Sequence, residues 1–395
     1  MPRLSRAALG AAFTLIIAVT AGCGTPAASP ASQPPGSGQA VSQPAGGPVP
    51  PGFAATSVTL VSTQEAFVLG AAPCAHAPCA SIVRTLDRGA TWRGLPAPVV
   101  PIGHPGGSNG SSATPHAWGI RFATPRHGFV FGYGLWETTD GTGHWTQVPS
   151  PGGAILSLAI VDGQVLALTT PAPPQAYGYG EVNATLARRP LGGGFWQLVT
   201  VVHAPWYLDP TDMVSTQAGI ATVVDGTSVL VTTDGGRTFT RHATPCARPG
   251  TAAAALAAPT ARGGLVLVCV GQGYMGHMVK SAFTSADLGA HWIQGGTPPS
   301  AGAPYALAAG TPSDVVLSTS TYGSWLVRST NDAATWKTVT TTDDGGGGWA
   351  DLGFTTPSDG AVIHGPVLSD GNSERLPGQL FLTSDAGSTW YQVRF

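Results

Sequence analysis

The 395-residue sequence predicts an all-β chain folded as a single seven-bladed β-propeller. Three observations carry this: a turn motif that recurs about every 50 residues, short apolar runs ahead of each copy, and a composition built for turns. Gly 55 and Pro 35 stand well above the roughly 12% usual for the two together, and charged residues fall to 10% against a usual ~25%. Long charged surface helices are therefore not expected. The formal net charge of -2 leaves no surplus with which to hold a phosphate backbone, which sets nucleic-acid binding aside.

At the amino terminus, Arg3 and Arg6 precede an apolar run from Ala7 to Ala21. At about 15 residues it is shorter than the roughly 20 a spanning helix needs, so residues 1–22 are read as a signal peptide. The run ends in Thr20-Ala21-Gly22-Cys23, which resembles the bacterial lipobox, with Thr20 where that family usually has Leu. The resemblance implies that Cys23 is lipidated and becomes the first mature residue. Residues 24–52 carry no charge and consist mainly of Ala, Pro, Ser, Gly and Gln, so residues 23–52 are read as a lipidated Cys followed by a disordered tether. The folded body is expected over residues 53–395, an exported protein held at the outer face of a membrane.

Spending Cys23 on lipid leaves Cys74, Cys79, Cys246 and Cys269, an even number for disulfides in an oxidising compartment. Cys74 and Cys79 share one short loop and are expected to pair, leaving Cys246 for Cys269. A metal site using Cys74, His76 and Cys79 is the alternative, but no fourth ligand is evident. No metal and no cofactor are expected.

The motif appears as Thr85-Leu86-Asp87-Arg88-Gly89-Ala90-Thr91-Trp92 and returns at Thr232–Phe239, Ser285–Trp292 and Thr383–Trp390. Thr138–Trp145 keeps Asp140 with Thr142 at the Gly position, Ser329–Trp336 has Asn331 for Asp, and a vestige ends at Trp196. The closing aromatics at 92, 145, 196, 239, 292, 336 and 390 are 43 to 54 residues apart. A hydroxyl and a carboxylate two residues later can bond the N–H groups of a tight turn, Gly accepts positive φ, and the aromatic anchors the next strand. These residues resemble the Asp-box, or BNR, repeat of sialidases, sortilin-type receptors, some glycan-degrading hydrolases and photosystem II assembly factor-like proteins. The resemblance covers residues 53–395 and implies a structural role for Asp87, Asp140, Asp234, Asp287 and Asp385.

With four strands per blade, the motif turns share one end with the turns between first and second strands. Long loops gather at the other end, together with aromatic and acidic residues. The candidate binding face there comprises Tyr177, Tyr179, Trp206, Tyr207, Tyr274, Tyr322, Asp343, Asp344 and Trp349. Rings supply flat apolar area and carboxylates accept hydrogen bonds, a combination suited to a protein or a glycan. A sialidase needs an arginine triad and an Arg-Ile-Pro segment. The segment is absent and the triad is hard to assemble from these arginines. Hydrolysis by two carboxylates drawn from Asp209, Asp212, Asp343, Asp344 or Glu374 stays open, with nothing in the sequence selecting a pair. Met275-Gly276-His277-Met278 offers soft ligands to copper, but three such residues in one loop more often mean nothing. The expected function is a monomeric, membrane-anchored, non-catalytic binding or assembly module, with an Asp-box glycoside hydrolase as the alternative.

Overall fold

A computed structural model describes residues 44–395, apart from 75–78, 104–114, 172–180, 206–212, 217–218, 226, 247–254, 261–262, 312, 343–347 and 366–377. Its strands form seven antiparallel sheets, each built from four consecutive strands. Blade 1 holds β1 (Ala54–Leu60), β2 (Ala66–Ala72), β3 (Cys79–Thr85) and β4 (Arg93–Leu95). Blade 2 holds β5 (Ala117–Phe122), β6 (Gly128–Gly132), β7 (Gly134–Thr138) and β8 (Thr146–Gln147). Blade 3 holds β9 (Ala154–Val161), β10 (Gln164–Thr170), β11 (Glu181–Pro190) and β12 (Gln197–Pro205). Blade 4 holds β13 (Val214–Ser215), β14 (Ala221–Asp225), β15 (Ser228–Thr232) and β16 (Thr240–Ala243). Blade 5 holds β17 (Ala255–Pro259), β18 (Leu265–Tyr274), β19 (His277–Ser285) and β20 (Ile293–Gln294). Blade 6 holds β21 (Ala303–Ala309), β22 (Val315–Ser320), β23 (Ser324–Ser329) and β24 (Lys337–Thr342). Blade 7 holds β25 (Trp349–Phe354), β26 (Gly360–His364), β27 (Gln379–Thr383) and β28 (Tyr391–Gln392).

The first strand of each blade meets the first strands of both neighbours, from β1 round to β25 and back. Second strands are buried on both faces, which is why they read as continuous apolar runs such as Phe129-Val130-Phe131. Apolar side chains fill the seams between blades. Phe67 of blade 1 stacks flat on Phe122 of blade 2, with centroids 3.9 Å apart. Each such buried side chain contributes roughly 1.5–3 kcal/mol.

Six turns of the repeat share one hydrogen-bond pattern. Asp87 Oδ1 accepts from Thr85 Oγ1 and Thr91 N, and Asp87 Oδ2 accepts from Thr91 Oγ1. The same geometry recurs at Asp140, Asp234, Asp287 and Asp385, and Asn331 reproduces most of it. Each turn places two consecutive residues at positive φ, Arg88–Gly89 and Leu288–Gly289 among them. The second position favours Gly for a further reason: a Cβ on Gly236 would stand 2.3 Å from Leu166 of the preceding blade. Thr142, at φ 81, shows that a side chain is admitted where the neighbour leaves room.

These bonds move the carboxylates. Thr91 holds Asp87 below its usual range, and His291 does so for Asp287. Partial burial alone would raise Asp234, but bonds from Thr238 and Thr232 outweigh it and bring the group down to about 2. A carboxyl lowered below its unfolded value of roughly 3.9 stabilises the fold fully above that pH and ceases to as pH falls through the folded value. Denaturant melts between pH 5 and pH 2 are therefore expected to lose stability across pH 4 to 2. Asp234→Asn should flatten that loss, while Asp234→Ala costs about 1 kcal/mol at pH 7. An unchanged acid profile in Asp234→Asn would remove this role.

The ring closes through contacts between blades 7 and 1, because among the described residues no blade borrows a strand from the opposite end of the chain. Phe395 meets Phe53 and Trp92 edge-on, with centroids 4.8 and 5.1 Å apart. Residues 44–52, which composition places in the tether, run along blade 1. Gly47 exchanges two backbone bonds with Gly94 of β4, and Val49 packs into the seam between blades 7 and 1. Residues 1–43, with Cys23, lie outside the described residues.

Candidate functional site

The two ends of the ring are distinct. At one, the first-to-second-strand turns meet the repeat turns, as in Arg88 N bonded to Gln64 O. At the other, second-to-third-strand loops meet the links between blades, as in Ala80 N bonded to Val100 O. Both disulfides, Cys74–Cys79 and Cys246–Cys269, belong to the second end, with Cα separations of 5.9 and 5.1 Å. The pairing is the one expected from loop position.

Blade 5 extends its second and third strands at this end, over ten and nine residues. Its hairpin β18–β19 adds a rung, Tyr274 opposite His277, closed by Met275 and Gly276, both at positive φ. The tip is braced by the link to blade 6. Gly302 N donates to Gly276 O at 2.9 Å, and Met278 N donates to Ser300 O at 2.8 Å. Beneath the tip, the fully buried Lys280 donates its Nζ to the carbonyls of Met278, Pro299 and Ala301 at 3.2, 2.8 and 3.2 Å. Burial brings this ammonium down to about 8. The disulfide enters β18 at Cys269, so the hairpin is fixed at its base, flank and tip.

On this support stand exposed side chains. Tyr274 is 79% exposed, Met275 76% and Tyr322 82%. Gly276 sits beside Thr321 and Tyr322 of blade 6, so the two tips adjoin and both carry exposed, uncharged side chains. Met278 turns inward against Val270 and Ala303, away from Met275.

Trp349 corrects the expected face. It is fully buried at the start of β25, against His364 and Phe381, because the pleat of this innermost strand turns its ring into the seam. Tyr177, Tyr179, Trp206, Tyr207, Asp343 and Asp344 lie outside the described residues, as do Asp209, Asp212 and Glu374. Asp225, the last residue of β14 at this end, is buried and engaged: it accepts from His203 N at 2.7 Å and pairs with Arg241. Burial would raise its carboxyl, but those bonds hold it low. Among the described residues, no group of three or more His, Cys, Asp or Glu is placed to hold a metal ion.

Sequence reasoning passed over Met275 and Lys280 as contributors, and it missed a second repeated motif at the opposite end. Ser62, Thr124, Thr311 and Thr356 each accept backbone N–H bonds from within their own first-to-second-strand turn. The signal was present as Thr124-Pro125-Arg126-His127, Thr311-Pro312-Ser313-Asp314 and Thr356-Pro357-Ser358-Asp359.

The ring with its seven blades is similar to the solved structure of YCF48 bound to D1 peptide, with a TM-score of 0.53 and 16% identity over 85% of this chain and 95% of that one. The chain is a seven-bladed β-propeller. A structure of YCF48 from Cyanidioschyzon merolae aligns with a TM-score of 0.36 at 12% identity, covering 87% of this chain and 86% of that one. An ulvan lyase of polysaccharide lyase family PL25 aligns with a TM-score of 0.48 at 10% identity, covering 85% and 91%. At 16% identity the likeness to the peptide-bound YCF48 structure establishes the fold alone, and a fold does not fix a function. No protein-family model and no curated protein matches the chain.

Proposed function

We propose that this propeller is an exported binding module that presents its loop-rich end to a protein partner. The observation that carries the reading is the exposure of Tyr274 and Met275 on an immobilised hairpin, with Tyr322 exposed on the adjoining tip. Large apolar side chains held rigid lose little freedom on binding, and Tyr is enriched among residues that dominate interface energy. Met adapts to irregular partner surfaces, which favours a peptide over a sugar ring. That a propeller of similar fold is described as bound to a peptide supports the same direction. The turn hydrogen bonds support kinship with Asp-box repeats, in a structural role. Disulfides fit an oxidising compartment, and the reading places the body outside the cytoplasmic membrane, anchored through lipid on Cys23. Among the described residues, no helix is long and apolar enough to cross a membrane.

The test is selection from a displayed-peptide library on the full chain, followed by titration of the best peptide. Tyr274→Ala with Tyr322→Ala is expected to weaken binding at least tenfold with an unchanged melting temperature. Undiminished affinity in that double variant, or binding on a glycan array with none to peptides, would overturn the reading.

A further inference from the structure

The fourth strand is the outer rim of each blade, and a free rim is a template for another strand unless something blunts it. Six of the seven rims are blunted. β8, β20 and β28 are two residues long, and β16 and β24 carry Arg241 and Lys337. The edge of β4 is taken up by the chain itself, through the two bonds between Gly47 and Gly94. β12 differs on every count. It runs nine residues, its stretch Gln197–Val202 holds no charged residue and no Pro, and among the described residues no strand pairs with its outer side. The direction of that side is fixed by His203, whose N–H turns away from β11 and donates to Asp225 Oδ1 at 2.7 Å. Val201 lies two positions earlier, so its N–H and C=O turn the same way.

The side chains of this blade are as unusual as its edge. The register shift between Leu186 and Ala187 sets Val199 and Val202 together against blade 4 and leaves Leu198 and Val201 on the opposite face, 68% and 42% exposed. In the other six blades the residue before the closing aromatic is Thr or His, bonded to the Asp or Asn of its own turn. Blade 3 has no acid in that turn and places Phe195 there, 94% exposed. We infer that β12 is a self-association edge, on which a second copy of this chain lays its own β12 antiparallel across a two-fold axis. The edge offers backbone groups and apolar side chains but no charge with which to select an ionic partner. Setting this strand beside itself brings no like charges together, as it would for β16 or β24. β12 is also the one rim of this kind among the described residues, so a second copy has a single matching edge, and that isologous pairing closes at two chains. The dimer replaces the monomer expected from sequence. With the stretch Gln197–Val202 and the side chains of Phe195, Leu198 and Val201 from each copy, the interface falls at the small end of specific sizes, and a dissociation constant of roughly 1–100 µM is expected.

The test is sedimentation velocity of the full chain from about 1 to about 200 µM. A reversible monomer–dimer equilibrium is expected. Val201→Lys puts an ammonium on the edge and should weaken dimerisation at least about tenfold with an unchanged melting temperature. If that variant loses its cooperative melt, Leu198→Lys takes its place, because Leu198 is the more exposed of the two. Thr341→Lys, at an exposed position of β24, the next longest rim, should leave the equilibrium as it is. A chain that stays monomeric over this range, open-ended association, a folded Val201→Lys or Leu198→Lys variant that dimerises as before, or an equal loss in Thr341→Lys would sink the inference. A foreign protein held at this edge by a chain that does not dimerise would do the same. The readouts here do not involve Tyr274 or Tyr322, so failure at one surface leaves the other untouched.

Discussion

Asp351→Ala is expected to lower the unfolding free energy by about 2–3 kcal/mol, although the residue touches no loop and no patch. Asp351 sits where the register of β25 against β26 shifts between Ala350 and Gly353, at φ 54. The bulge turns its carboxylate sideways out of blade 7. Its Oδ2 accepts from Val58 N at 2.8 Å and from Ser57 Oγ, both in blade 1. Its Oδ1 accepts from Arg121 Nη2 of blade 2 at 2.6 Å. One side chain thus joins three blades across the closure of the ring, the place where no covalent link joins the two ends. Breaking a fully buried pair costs roughly 3–5 kcal/mol, and the discount here reflects Arg121 at 25% exposed and Asp351 at 14%. Thermal melts should drop by about 3–4 °C for a body of this size. Asp351→Gly is the informative companion, because it also loses the carboxylate but relieves the left-handed backbone, and should recover about 1 kcal/mol of the loss. Arg121→Met should cost less than Asp351→Ala, since the carboxylate keeps its blade 1 donors. A change below 1 °C in Asp351→Ala would show that packing alone closes the ring.

That clasp also marks the limit of what the sequence can disclose. The repeat turns were legible because the hydroxyl and carboxylate bonds that define them lie within eight residues, so spacing and chemistry appear together in the text. The disulfide pairing was legible because loop position left one sensible arrangement. Asp351 and Arg121 are 230 positions apart, and neither stands in a motif. Only the ring brings them together. Trp349 misled for a related reason: its neighbours in sequence are loop residues, whereas its neighbours in space are His364 and Phe381. At the exposed patch, Tyr274 and Tyr322 were visible as residue types. The brace that makes them a surface, Lys280 among three carbonyls, leaves no trace in sequence because its acceptors are backbone atoms. Residues 44–52 look like tether by composition, yet backbone pairing at Gly47 needs no particular side chain.

Replacing Cys246 and Cys269 together by Ala should cost about 3 kcal/mol, a loss comparable to that of the clasp. The bridge spans 23 positions, and constraining an unfolded loop of that length is worth about that much in the chain-entropy account. It ties the exit of blade 4 to β18 of blade 5, and both cysteines are buried, at 2% and 7% exposed. Cys74–Cys79 closes only 5 positions, which reduces its worth to about 2 kcal/mol, and Cys74 is exposed. The two bridges should therefore separate under reduction. Mild thiol followed by alkylation and peptide mass mapping is expected to label Cys74 and Cys79 while the melt falls by about 3 °C. Cys246 and Cys269 should resist until the ring opens, because a buried disulfide is attacked only when a thiolate can reach it. Labelling of all four at the same thiol concentration would mean that the seam between blades 4 and 5 opens on its own. In that case the hairpin carrying Tyr274 would no longer be held at its base, and its patch would have to order itself on binding. The peptide affinity of the Cys246→Ala, Cys269→Ala variant separates these cases. A rigid patch keeps its affinity below the melting temperature, whereas a patch that depends on the bridge loses it in step with the hairpin.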